Sequence, residues 1–377
     1  MQILLLSAYD ANSHQYWRKG LRQYCQSTWS NQSNITELVL PARFFNWRIR
    51  GNGLYWSIAK RSILEARYDV VLATSMVDLA TLRGLVPHLC HIPNILYFHE
   101  NQFAYPQSSN ANKAQMQGRA DAVAAMMVQL YSALAADRIV FNSEYNRTTF
   151  LTGVDDLLQQ LPDCVPPGVV ATLGEKAQVL PVPLNRAIET KCLTKGASRK
   201  PFTVVWNHRW EFDKGPDGLL HCLQALPENL PFTFHIIGQS FRRVPDAFAA
   251  IKRLLEARNW LGHWGYIEDV DTYLAVLKQS QCVLSTARHD FQGLSVLQAV
   301  QAGCVPVVPD RLAYRELFAK TFRYDESSEA MEEGQFAASV LVRLCEEAPY
   351  PPDIQHLEWA TLGVEYQRLL EQLAFEI

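Results

Sequence analysis

Two segments in the second half of the chain carry residues suited to an anionic, hydroxyl-rich ligand. In WNHRWEFDKG (206–215), Asn207 is followed by Arg209 and Lys214, five residues apart, and then by Gly215 and Pro216. Glycine followed by proline marks a turn and a first helical turn, so a helix is expected to begin there. Two cations beside the free N–H groups of a helix N-terminus make a diphosphate cradle. The same pair also fits an ordinary solvated surface. In ARHDFQGLSVLQAVQAGCVPVV (287–308), Asp290 precedes Gly293, where backbone can approach a ligand. Leu294 then opens an apolar helix that carries Gln298 and stops at Gly303. An acid before the glycine and an amide further along suit sugar and ribose hydroxyls. A helix with an N-cap Asp and a C-cap Gly has the same pattern. Gly238, closing FTFHIIG (232–238), is a further candidate for close approach to this ligand.

The first half offers a second set. Ser13 and His14 follow the first apolar run in SAYDANSHQYWRKGL (7–21), and His99 and Glu100 follow the fourth in LYFHENQFAYP (96–106). A histidine there can bind a sugar or orient an attacking hydroxyl, with Glu100 accepting a hydrogen bond. A capping or core histidine is the alternative for His99. Asn142 and Ser143 in FNSEYN (141–146) are weaker candidates. In ARFFNWRIRG (42–51), Arg43, Arg48 and Arg50 interleave with Phe44, Phe45 and Trp47. That pattern offers phosphate contacts and stacking faces for unstacked RNA bases, worth roughly 1–3 kcal/mol per base. Aromatics turned into a core beneath solvated arginines would fit it as well.

The elements that position these residues are apolar runs of four to eight residues separated by helix-length segments. They lie at 3–7, 35–40, 69–74, 94–100, 138–143 and 178–182. Continuous rather than alternating apolar character predicts strands covered on both faces, hence a parallel sheet between helices. After a polar, basic linker (185–200) the pattern restarts at 202–207, 232–238, 282–286 and 304–308. The expected fold class is α/β, with two Rossmann-like doubly wound domains and a cleft between them. The domains are 1–185 and 200–350, and 351–377 is a terminal helical segment. A chain of 377 residues also exceeds the ~250–300 residues at which single cores stop growing. Ligands of such sheets bind outside the carboxyl ends of the strands, where every candidate above stands.

Composition narrows the class. The eight cysteines are scattered singly, which suggests neither a zinc site nor a disulfide framework and fits a reducing compartment. The opening MQILLLSAYD reads as a buried strand rather than a signal peptide, and no run reaches the ~20 apolar residues of a membrane span. A cytoplasmic location is expected. A net charge of -3 argues against indiscriminate nucleic-acid binding. The charge is nonetheless polarised: Arg18 to Arg61 holds eight basic residues and the single acid Glu37, while Asp325 to the end holds twelve acids against Arg343 and Arg368.

The pair RWEFDKG and DFQGLSVLQAVQAGCVPVV resembles the donor half of retaining GT-B glycosyltransferases of family four. That family has an Arg and a Lys after the first strand of this domain, and two Glu separated by seven residues around a glycine. Asp290 and Gln298 fall at the two Glu positions and depart from them, the first keeping a carboxylate and the second only a neutral hydrogen-bonding group. With SAYDANSHQYWRKGL, LPARFFNWRIRG, LYFHENQFAYP and FNSEYN, nearly the whole chain is similar to tRNA-queuosine mannosyltransferases. The resemblance implies transfer of mannose from GDP-mannose to the cyclopentenediol of queuosine in a tRNA anticodon, with retention of configuration. It implies a catalytic set of His99, Glu100, Arg209, Lys214 and Asp290. Donor contacts would come from Ser13, His14, Asn207, Arg209, Lys214, Gly238, Asp290, Gly293, Leu294 and Gln298, and RNA contacts from Arg43, Phe44, Trp47, Arg48 and Arg50. The sequence is read as lacking an Asp-x-Asp metal motif, and no metal or other cofactor is expected beyond the nucleotide sugar. A glycosyltransferase with a lipid or small-molecule acceptor and a non-catalytic tRNA-binding relative are the alternatives. A nicotinamide dehydrogenase is disfavoured because SAYDANSH stands where GxGxxG would follow the first strand.

Overall fold

The computed structural model describes residues 1–29, 33–105, 113–185, 201–241, 243–347 and 349–375. Two compact units emerge: Met1–Pro183 together with Leu357–Ile377, and Leu184–His356. The expected linker 185–200 lies almost wholly outside the described residues.

The first unit is built on β1 (Gln2–Asp10), β2 (Asn34–Pro41), β3 (Val70–Thr74), β4 (Asn94–Phe98), β5 (Arg138–Phe141) and β6 (Ala177–Val179). All pairings are parallel and the spatial order is β2-β1-β3-β4-β5-β6. The inner strands β3 and β4 are buried along their whole length, as their unbroken apolar sequence requires. Connections leave β1 toward β2 on one side and β3 toward β4 on the other. The crevice at the carboxyl ends of β1 and β3 is therefore this sheet's topological switch point.

The terminal segment, expected as a separate piece, is grouped with the first unit. In its helix Trp359–Phe375, buried Tyr366 accepts a 3.0 Å hydrogen bond from Trp17 Nε1–H and lies 2.9 Å from the Tyr97 hydroxyl. Gly363 lets this helix approach, since a Cβ there would sit 2.3 Å from the Tyr24 ring.

The second unit repeats the plan with β7 (Phe202–Trp206), β8 (Phe232–Ile237), β9 (Leu261–Gly265), β10 (Cys282–Leu284), β11 (Val305–Pro309) and β12 (Arg323–Tyr324). The strands are again parallel, in the order β12-β11-β10-β7-β8-β9, which places the switch point between β7 and β10. The sequence reading missed the two edge strands. β9 reads LGHWG, with two glycines and half-buried side chains, and β12 has only two residues, so neither makes an apolar run.

Candidate active site

The loops after β7 and β10 are joined into one platform. Gly215, with φ 64°, lies so close that a Cβ there would fall 2.0 Å from the Thr286 carbonyl oxygen. The backbone N–H groups of Arg288 and His289 both donate to the Asp213 carbonyl, at 2.9 and 3.1 Å. Thr286 Oγ1 donates to the Lys214 carbonyl at 3.0 Å. Trp206, wholly buried at the end of β7, donates its ring N–H to the same Thr286 hydroxyl. The two loops thus hold their side chains in fixed relation.

On this platform Lys214 is buried, with Nζ 2.7 Å from the His289 carbonyl, 3.2 Å from Asp213 Oδ2 and 3.7 Å from Asp290 Oδ2. Asp290 accepts the Gly293 N–H at 2.9 Å and the Tyr314 hydroxyl at 3.4 Å. Burial alone would raise the Asp290 pKa, but the Lys214 ammonium beside it holds the carboxyl below its ordinary value. Burial and the Asp290 charge push the Tyr314 phenol well up, so it remains a donor. Its ring lies under the turn at Gly293 (φ 74°), where a Cβ would meet it at 2.7 Å. His208, buried under the same charges, is pushed down to about 4 by desolvation and then by Lys214.

Arg209 is half-exposed and lies 2.8 Å from Glu211 and 3.9 Å from Asp213. Burial raises the Glu211 pKa despite that partner. Two cations therefore face three carboxylates. The Asn207 amide donates to the Ser295 carbonyl at 2.8 Å and to the Tyr273 hydroxyl at 3.1 Å; that hydroxyl in turn donates to Gln298 at 3.3 Å. Gly293 caps the helix Leu294–Gln301. Gly238 packs on backbone, since a Cβ there would lie 1.8 Å from the His208 carbonyl oxygen.

In the first unit, helix Asn12–Thr28 begins directly after β1, so Ser13 and His14 stand in its first turn. His14 is fully buried, with Nε2 3.1 Å from both carboxylate oxygens of Glu100. Its ring stacks on His99 with centroids 4.1 Å apart. Burial and then His14 push the His99 pKa well down, leaving a neutral imidazole. Asn142 donates to the His99 carbonyl at 2.9 Å, and Ser143 caps the helix Glu144–Gln159 through the Asn146 N–H. Of the two weaker candidates, Asn142 thus holds the His99 backbone and Ser143 serves the following helix.

The basic-aromatic segment forms the helix Phe45–Ala59. Phe45 packs on Tyr9 edge to face, whereas Phe44 and Trp47 are 70% and 57% exposed, so the aromatics divide between core and solvent. Arg43 stacks over Phe44, Arg50 pairs with Asp121 at 3.0 Å, and Arg48 is half-buried. Leu54, Tyr55 and Ile58 are exposed as well, and with Trp47 they form an apolar stripe at helical spacing.

A family model described as tRNA-queuosine alpha-mannosyltransferase N-terminal matches residues 2–184. A tRNA-queuosine alpha-mannosyltransferase of Drosophila melanogaster is 33% identical over 306 residues, covering 79% of this chain and 78% of that protein. The chain belongs to the tRNA-queuosine alpha-mannosyltransferase family. It is accordingly an enzyme of the glycosyltransferase class. Anabaena HepE, solved in complex with UDP, superposes with a TM-score of 0.61 at 13% identity over 99% of this chain and 100% of that one. Sucrose-phosphate synthase from Thermosynechococcus elongatus does so with a TM-score of 0.62 at 11% identity over 99% of both chains. These likenesses, with two parallel six-stranded sheets, establish the GT-B fold.

Seen against this family, the second-unit candidates Asn207, Arg209, Lys214, Asp290, Gly293, Leu294 and Gln298 gather at the ends of β7 and β10. In the first unit His14, His99 and Glu100 gather in the same way, while Ser13 is half-buried in its helix turn. Sequence reasoning missed Glu211 and Asp213, although EFDK displays both within four residues of Arg209. It also missed Tyr314 and Tyr273, for which no local signal exists because only the sheet brings them near Asp290 and Asn207. One reading is corrected. An Asp-x-Asp sequence does occur, at Asp269-Val270-Asp271, where Asp269 caps the helix Val270–Gln279 through Thr272 N–H at 2.8 Å. No group of three or more metal-ligating side chains occurs among the described residues, and no described helix is long and apolar enough to cross a membrane.

Proposed function

We propose that this enzyme transfers mannose from GDP-mannose to queuosine in tRNA with retention of configuration and without a metal. The supporting observation is the Lys214–Asp290 pair at the switch point of the second sheet, 3.7 Å apart and flanked by Arg209 and the Gly293 helix start. In this reading Arg209 exchanges Glu211 for the diphosphate, and Lys214 stabilises the charge that grows on it as the glycosidic bond breaks. Asp290 receives sugar hydroxyls, and the Asn207–Tyr273–Gln298 chain receives ribose hydroxyls. In the first unit, neutral His99 and Glu100 orient the attacking hydroxyl, and the leaving phosphate takes its proton. Phe44 and Trp47 stack on unpaired anticodon bases while Arg43 and Arg48 meet phosphates. The enzyme would act in the cytoplasm, where its acceptor resides.

Thermal unfolding with GDP, UDP, ADP and their sugars tests the donor. A ligand at one hundred times its Kd adds ~2.7 kcal/mol to the folded state. GDP and GDP-mannose should raise the melting temperature most, and stabilisation by none of them would point to a non-catalytic tRNA binder. The apolar stripe Trp47, Leu54, Tyr55 and Ile58 favours a second reading with a lipid acceptor. Transfer that needs no RNA and is insensitive to salt would select that reading.

A further inference from the structure

Surface helices usually turn large apolar side chains toward the core and small or polar ones outward. The helix Phe45–Ala59 departs from this. Its buried face mixes Ile49 and Trp56 with Gly51, Asn52, Gly53 and Ser57. Gly53 lets the helix sit close to its neighbour, since a Cβ there would lie 3.3 Å from the Thr81 methyl group. The Asn52 amide donates to the Met76 carbonyl at 3.1 Å, and its oxygen accepts the Asp78 N–H at 3.0 Å. These inward contacts fix the rotation of the helix and leave Leu54, Tyr55 and Ile58 outside, Ile58 with 74% exposure. The helix Lys113–Ala135 lies alongside, where Asp121 accepts from Asn46 at 2.8 Å and from Arg50 at 3.0 Å. It exposes Val123, Tyr131 and Leu134 at helical spacing on one face.

None of these six side chains is charged. Together they expose the equivalent of about three whole side chains, on the order of 500 Å² when a large one is taken at ~150–250 Å². Apolar patches beyond a few hundred Å² mark interaction sites. A standard interface buries ~800 Å² per partner, and homodimer interfaces are ~65% apolar, so an apolar core of this area suits one. Phe44 and Trp47, at the start of the first helix, are not counted in it. Charge points to the same occupant. Arg50 is paired with Asp121, and Arg61, just past the helix, with Glu65 at 2.7 Å, while Arg43 stands at the opposite end. An anionic lipid surface or an RNA backbone calls for free cations around the patch. A two-fold axis instead sets a patch against itself, which an uncharged surface bordered by internally paired charges tolerates. We propose that this face joins two copies of the chain. A dimer formed this way depends on neither the donor nor the acceptor proposed above.

Sedimentation equilibrium of the full chain over a range of concentrations tests this. The wild type should be a reversible dimer with a Kd that is micromolar or tighter, as interfaces of standard size allow. Ile58→Glu and Tyr131→Glu each set a carboxylate into the apolar contact and, across the two-fold axis, near its own copy. Each should raise the Kd by more than about tenfold. Both positions are exposed in the single chain, so far-ultraviolet circular dichroism of the dilute variants should match the wild type. A wild type that is monomeric at every concentration overturns the proposal, as does a dimer that both variants leave intact. Flotation with phosphatidylserine vesicles, run on the same samples, separates the lipid alternative. A monomer that floats with the vesicles, and no longer does so as Ile58→Glu, assigns the face to a membrane surface and overturns the dimer.

Discussion

Around Lys214 in the second unit, five charged side chains (Arg209, Glu211, Asp213, Lys214 and Asp290) already pair among themselves. Around His99 in the first unit, three buried ring nitrogens, His14 Nδ1 and both of His99, have no hydrogen-bond partner among the described residues. A buried polar atom left unpaired costs about 1–3 kcal/mol, so the first site gains by any hydroxyl or water that completes it. The second site also holds unpaired buried atoms, among them Asn207 Oδ1 and His208 Nε2, but there an anion must in addition outcompete carboxylates already in place. A highly charged diphosphate can do that, whereas a neutral sugar alone cannot. The difference teaches that paired charges dominate the second set of residues and unpaired imidazole nitrogens the first.

That contrast breaks most visibly at Lys214. Lys214→Ala leaves Asp213 and Asp290 without the cation between them, and removing one partner of a buried pair costs about 3–5 kcal/mol. Turnover should fall by roughly 10²–10³-fold, as for loss of a donor aimed at developing charge, together with a lower melting temperature. An unchanged steady-state rate would show that the paired charges are merely structural. Arg209→Ala, at a half-exposed position, should weaken GDP binding by about 1.5–3 kcal/mol, the worth of a charge-assisted hydrogen bond, and leave stability alone. Isothermal titration reads this directly, and an intact affinity would mean that Glu211 is never displaced.

The histidines sharpen the same contrast through pH. His208, pushed down to about 4, and His99, pushed well down, are neutral in the folded state, whereas an unfolded histidine titrates near ~6.5. Because the folded pKa is the lower, the unfolded state takes up protons first as pH falls. Stability is therefore whole above about 6.5 and drains away as pH drops toward about 4. By pH 5 the loss from His208 is on the order of 1–2 kcal/mol. Denaturant melts at several pH values should show it, and His208→Asn should flatten the curve. A wild-type curve flat from pH 7 to 5 would contradict the burial argument. The smallest effect is expected at Tyr314→Phe, which removes one hydroxyl from Asp290 and Ser285 while keeping the ring under Gly293. It should cost about 1 kcal/mol, a several-fold drop in kcat/KM with little change in melting temperature.

Much of this was legible in the sequence because strands buried on both faces must be apolar throughout. Runs such as DVVLAT and NILYFHE therefore declared β3 and β4, and the loops after them could be searched for chemistry. The edge strand LGHWG carries no such signal, since half of its surface needs no apolar cover. Arg209, Lys214 and Asp290 could be found because each stands in a short stretch after a legible strand. Tyr314 could not, since its role exists only where the loops after β10 and β11 converge on Gly293. The ARFFNWRIRG segment shows the limit from another side. Interleaved aromatics and arginines did not reveal that Phe45 would turn inward while Phe44 and Trp47 turned outward, which follows from the phase of the helix begun at Phe45.

The central claim, that this enzyme moves a hexose from GDP-mannose onto queuosine in tRNA, is tested most directly by mass analysis of tRNA. The purified chain would be incubated with GDP-mannose and tRNA that either carries or lacks queuosine. A single hexose gained on the queuosine nucleoside, absent from the queuosine-free tRNA and absent with UDP-glucose, is the predicted result. Failure to modify either tRNA with any nucleotide sugar, or equal modification of both, would contradict the account.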